Sequence, residues 1–146
     1  MSNGARKAYC QRCLAALSRG GMNATVRIAI VDDEESVRRA LTRLFRFADY
    51  SAEAFASAAD FLASLSDGAP DCVVLDLQMP EMTGLELLQY ISKLPKPPPV
   101  IVITADDSQR TQDDCNALGT KRYLRKPVDS AALLASVRDV VENAAT

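Results

Sequence analysis

Histidine does not occur in this chain of 146 residues. Its absence excludes histidine-ligated metal centres, Ser/His nucleophilic catalysis and a phosphohistidine carried by the chain itself. Any phosphoryl donor therefore has to come from another molecule. Long hydrophobic runs are missing too. Nothing approaches the ~20 apolar residues needed to cross a bilayer, and the early run from Cys13 to Leu17 falls short of a signal-peptide core of about 7 to 15 residues. The expectation is a cytoplasmic protein without membrane contact. Cysteine is scarce, with four in all. Cys10 and Cys13 form a lone Cys-x-x-Cys with no second ligand pair nearby to complete a zinc site. Cys72 falls in an apolar strand-like run and Cys115 in a helical segment, so reduced thiols rather than a disulfide framework are expected. A charge excess is also lacking: the formal net charge is −2, which gives no general reason to expect direct contact with nucleic acid.

What is present is ordinary for one globular domain, with 48% hydrophobic and 25% charged residues. A chain of this length buries roughly 68–70% of the surface that it exposes when unfolded, so no second core is needed. Residues 1–24 stand apart: they contain Arg6, Lys7, Arg12 and Arg19, and all 19 acidic residues lie beyond them. They are read as a basic N-terminal extension, either disordered or preceding a native start at Met22, and residues 25–146 as the folded domain. From there short β-branched runs alternate with helical patterns, the signature of βαβ units. Strands are expected at about 26–31, 51–55, 71–76, 99–104 and 121–125. The first, third and fourth are nearly continuous apolar runs, as central strands covered on both faces require, and the second and fifth are more polar, as edges are. The fold expected is α/β: a three-layer, doubly wound, five-stranded parallel sheet of flavodoxin-like type, its order 2-1-3-4-5 taken by analogy with that fold.

The first helix is marked by an apolar stripe of Val37, Ala40, Leu41, Leu44, Phe45 and Ala48. Its other face carries Arg38, Arg39, Arg43 and Arg46, either a solvated surface or a dock for an acidic partner. Ser57, three residues before Asp60, fits an N-cap for the second helix; Leu87, Leu88, Ile91 and Leu94 give the third its buried face, and the prolines from Pro95 to Pro99 stop it. A fourth helix, roughly Asp107 to Leu118, has little besides Cys115, Ala117 and Leu118 to bury, which makes it a candidate mobile element or a fraying surface helix. Gly119 suits its C-cap. A last helix from about Val128 uses Leu133, Leu134, Val137, Val140 and Val141.

In such sheets ligands bind beyond the carboxyl ends of the strands. Asp32, Asp33, Asp76, Thr104 and Lys126 all fall at those ends. Each alone could serve as a cap, a turn former or a strand terminus. Their convergence on one rim points instead to a pocket for a phosphoryl group. Crowded carboxylates repel one another, and a divalent cation relieves the repulsion; Mg²⁺ suits an oxygen site of this kind. Asp76 can act as a carboxylate nucleophile toward phosphorus, with the Lys126 ammonium and Thr104 hydroxyl available to the transferring group.

From about Val26 to Asn143 the chain resembles a response-regulator receiver domain of two-component signalling. The likeness rests on Val31, Asp32, Asp33, Glu34 and Glu35, on Asp76 to Gly84 with Met79 and Pro80, on Thr104 with Ala105, and on Tyr123 through Pro127. The resemblance implies Asp76 as phosphoacceptor, Asp33 as a direct Mg²⁺ ligand, Asp32 as a water-mediated one and the Gln78 backbone carbonyl as another. Thr104 and Lys126 would read the phosphoryl group, with Thr104 and Tyr123 as the switch pair. It further implies a histidine kinase or histidine phosphotransfer protein as donor, and a downstream protein that reads the fourth helix, fifth strand and last helix. Such a protein is no enzyme beyond its own phosphorylation and dephosphorylation. Val128, Thr120 and the polar fourth helix depart from the usual pattern without removing a chemical group. Gln78 and Asp106 hold places that tune dephosphorylation in the family.

Two other readings compete with this one. An Asp-nucleophile, Mg²⁺-dependent phosphatase needs a second aspartate two residues after the first, but Gln78 and Glu34 stand at those positions. The receiver part of a DNA-binding transcriptional regulator would need an output module. The end at Thr146, soon after the last helix, favours a stand-alone receiver.

Overall fold

Uninterrupted aliphatic runs are tolerated only where both faces of a strand are covered. The computed structural model, which describes residues 25–79, 81–105 and 108–145, sets two such runs at the centre of a sheet. The described chain comprises β1 (Arg27–Val31), α1 (Glu35–Phe47), β2 (Ser51–Phe55), α2 (Ala58–Ser64) with a 3₁₀ turn (Leu65–Asp67), β3 (Cys72–Asp76), α3 (Gly84–Ser92), β4 (Val100–Thr104), α4 (Gln109–Ala117), β5 (Arg122–Arg125) and α5 (Ser130–Ala145). The strands are all parallel in the order β2-β1-β3-β4-β5, as expected. β3 and β4 are buried at every residue, and the edges β2 and β5 are partly exposed.

Alternate side chains of the sheet feed two apolar layers, so the molecule has three layers in all. Ala29, Val31, Val73, Leu75 and Val102 meet Phe61, Leu87, Ile91 and Cys115 on the side of α2, α3 and α4. Ile28, Ile30, Val74, Ile101 and Ile103 meet Leu41, Phe45, Leu133 and Val137 on the side of α1 and α5. One member of the expected α1 stripe is misplaced: Ala40 is exposed, because it lies on the flank of an arc centred on Leu41 and Phe45. On the opposite face Arg38, Arg39, Arg43 and Arg46 line an open groove that ends at Phe47, which is 87% exposed.

Helix ends follow local chemistry. At the end of α1 the Tyr50 N–H donates to the Phe45 carbonyl and Asp49 N–H to Arg46, with Asp49 at φ 71° and the Tyr50 ring edge-on to Phe45; this is a Schellman closure with its apolar clasp. α4 closes in the same way through Thr120 N–H to Cys115 and Gly119 N–H to Asn116, with Gly119 at φ 90°. Ser57 caps α2 by accepting the Asp60 N–H. Thr83 and Glu86 form a capping box at α3, while Leu94 packs beyond the end of that helix. α5 starts at Ser130 rather than near Val128, since the Asp129 carboxylate accepts the Ala132 N–H. Residues 1–24, with Cys10 and Cys13, lie outside the described residues, as do Pro80, Asp106 and Asp107. No described helix is long and apolar enough to cross a membrane.

Candidate functional site

Parallel strands that start in step also finish in step, so their carboxyl ends share one edge of the sheet. Val31 is level with Leu75, Asp76 with Ile103, and Thr104 with Arg125. The residues that follow are thereby gathered into a crevice. Asp32 and Asp76 are almost fully buried, at 3% and 4% exposure, while Asp33 is exposed at the rim. One carboxylate oxygen from each of the three lies within 4.8 Å of the others.

Backbone amides orient the two buried carboxylates. Asp32 Oδ1 accepts the Glu34 N–H at 2.9 Å, and Asp76 Oδ1 accepts the Gln78 N–H at 3.1 Å. Their Oδ2 atoms turn to Lys126 Nζ, at 3.2 Å from Asp32 and 3.4 Å from Asp76. Lys126 is itself held by its backbone N–H, which donates to the Thr104 carbonyl at 2.9 Å. Thr104 is wholly buried at the end of β4. Tyr123 is half-buried on β5 and packs against the layer shared with α3 and α4.

Burial raises the Asp76 carboxyl above its ordinary range, and the nearby Asp32 charge adds to the rise; the Gln78 N–H and Lys126 pull the other way without cancelling it. Burial works against the Lys126 ammonium, but Asp76 and Asp32 outweigh it and hold its pKa above the usual value. The lysine is therefore charged at neutral pH. Three close carboxylates against one ammonium leave the crevice with excess negative charge, and the donors are oxygens only. That set fits a hard divalent cation such as Mg²⁺ and suits soft metals poorly.

Of the residues singled out from sequence, Asp32, Asp33, Asp76 and Lys126 meet directly. Thr104 joins them through its carbonyl, and Gln78 contributes its amide while its side chain is exposed. Two neighbours had no assigned part. Gly84 opens α3 so close to the Asp76 segment that a Cβ there would lie 2.4 Å from both the Asp76 carbonyl oxygen and Leu77 Cα. Its N–H donates to the Leu77 carbonyl. Only the fixed distance from Asp76 to Gly84 hinted at this. Glu34 reaches Lys126 Nζ at 3.4 Å, a contact announced only by its place beside Asp33.

Comparison with known proteins places the chain in company. The family described as "Response regulator receiver domain" matches residues 28–138. "Response regulator MprA" of Mycobacterium sp. (strain KMS) is 36% identical over 113 residues, which cover 77% of this chain and 49% of that protein. The chain thus spans about half the length of the curated relatives it matches. A receiver protein from Burkholderia phymatum is 36% identical with a TM-score of 0.72, over 81% of this chain and 96% of that one. The CheY-like receiver of Methanospirillum hungatei JF-1 aligns with a TM-score of 0.78 at 27% identity, over 82% and 96%.

Proposed function

Because this chain belongs to the response regulator receiver family, we propose that it carries its phosphorelay signal by accepting a phosphoryl group on Asp76. A carboxylate oxygen of Asp76 attacks phosphorus, the bond from phosphorus to the donor breaks, and an aspartyl phosphate results. The donor that the family implies is a phosphohistidine on a histidine kinase or a histidine phosphotransfer protein, and as this chain has no histidine it lies on another molecule. Asp32, Asp33, Asp76 and the Gln78 carbonyl would hold Mg²⁺, whose charge offsets the negative charge that gathers on the transferring group. The Lys126 ammonium, within ion-pair range of both Asp32 and Asp76, does the same, and the Thr104 hydroxyl reads the phosphoryl oxygens.

Phosphorylation adds about −1.5 to −2 charges at Asp76, and it shifts a conformational equilibrium only through interactions that differ between the two states. Thr104 and Tyr123 supply that difference, and the surface of α4, β5 and α5 passes it to a downstream protein. The chain acts on no other substrate. The observation that carries the reading is the buried Asp76 carboxylate, 3.4 Å from Lys126 and clustered with Asp32 and Asp33. Incubation with acetyl phosphate or beryllofluoride plus Mg²⁺ should give a metal-dependent adduct and spectral change in the parent and neither in Asp76→Asn. Equal responses in the two would reject Asp76 as acceptor.

A further inference from the structure

Glu34 occupies the N-cap of α1, yet its side chain makes no capping hydrogen bond. Its backbone is pinned all the same: the N–H donates to Asp32 Oδ1 at 2.9 Å and the carbonyl accepts the Arg38 N–H at 3.0 Å. From that fixed root the side chain reaches inward and sets Oε1 3.4 Å from Lys126 Nζ. An ammonium has three N–H donors. Here three carboxylates claim them, Asp32 at 3.2 Å, Glu34 at 3.4 Å and Asp76 at 3.4 Å. The hydrogen bonds of Lys126 Nζ go to Asp32 and Glu34, with Asp76 in ion-pair range. The claimants differ in freedom: the side chains of Asp32 and Asp76 are 4% exposed and tied to strand ends, whereas that of Glu34 is 60% exposed and can retire into water.

Building on the acceptor role of Asp76, we infer that Glu34 is a positioning residue that holds a donor of the Lys126 ammonium in the resting pocket and yields it to the incoming phosphoryl group. Its carboxylate and the phosphoryl oxygens compete for one ammonium. Glu34 therefore sets how readily the pocket loads an anion. The contact is half open to water, so its removal is worth about two- to five-fold in anion affinity.

The test is beryllofluoride binding to the full chain at saturating Mg²⁺, measured by calorimetry. Glu34→Gln keeps the shape and loses the charge, and should bind the anion about two- to five-fold more tightly than the parent. Glu34→Asp keeps the charge but is one methylene shorter, and should shift in the same direction. Glu35→Gln removes an equal charge one residue along, from a carboxylate paired with Arg39 at 3.2 Å, and should leave affinity unchanged. Parent-like or weaker binding by Glu34→Gln overturns the inference. So does a gain in Glu35→Gln equal to that in Glu34→Gln, which would assign the effect to net charge alone. A parent that takes up no beryllofluoride, or an Asp76→Asn variant that takes it up equally, defeats the acceptor role and this inference with it.

Discussion

A single methyl group tests how closely Asp76 is held. Gly84→Ala would press a Cβ against main-chain atoms of Asp76 and Leu77 at 2.4 Å, and backbone cannot step aside as a flexible side chain can. Either α3 withdraws or the Asp76 segment moves. Destabilisation of about 1–3 kcal/mol is expected from such overpacking, together with weakened beryllofluoride uptake. Urea denaturation and calorimetry would read the two separately, and an unchanged variant on both would show that the close approach is unimportant. The residues of the crevice divide by how they could be found. Asp32, Asp33, Asp76, Thr104 and Lys126 were legible because each interrupts or closes an apolar run, and parallel strands carry such positions to one edge. Gly84 was not, since the need for a bare α-carbon depends on what lies opposite it. Glu34 was not, since its part depends on where one long side chain turns.

Helix ends show how one backbone problem is solved with two residues. α1 and α4 close with the same pair of hydrogen bonds, but the left-handed position holds Asp49 in one and Gly119 in the other. A side chain there costs about 1–2 kcal/mol, partly offset because glycine leaves the unfolded chain freer. Asp49→Gly should therefore stabilise the protein by about 0.5 kcal/mol, and Gly119→Ala should destabilise it by about 1 kcal/mol. Opposite shifts in the urea midpoint would bear this out; shifts of the same sign would refute it. The end of α4 could be read from Gly119, whereas α1 offered no glycine and its stop became visible only with the Phe45–Tyr50 clasp. The stripe of α1 was legible except at Ala40, where a small residue on the margin carries too little signal to say which side of the boundary it falls on.

For the molecule as a whole, the crevice should couple folding to pH and, through the proposed Mg²⁺ site, to metal. The Asp76 pKa is raised by burial and by Asp32, so folding favours its protonated form. That contribution is complete below the unfolded carboxylate range and is lost as pH rises through the higher folded value. At neutral pH that contribution of Asp76 is absent, and Mg²⁺ bound at the proposed site should offset the repulsion among the carboxylates. A melting-temperature rise with Mg²⁺ is expected at pH 7, equivalent to about 2.7 kcal/mol when the ion is at a hundred times its Kd. The rise should shrink as acid protonates the ligands and in Asp76→Asn, and a chelator should reverse it. Melting curves indifferent to Mg²⁺ would exclude the site. At this scale the sequence separated central strands from edges, because the apolar runs of β1, β3 and β4 contrast with the more polar β2 and β5, while the order itself came by analogy with the fold. Helix starts were less so: α5 begins where Asp129 can cap it, two residues past the expected point.

Within α4 only Cys115 is buried. The exposed positions Gln109, Arg110, Asp113, Asp114 and Asn116 of that helix contribute nothing to either apolar layer. As one part of the output surface proposed above, α4 could be rewritten at its exposed positions to suit a different correspondent while the layers that hold the crevice stay as they are.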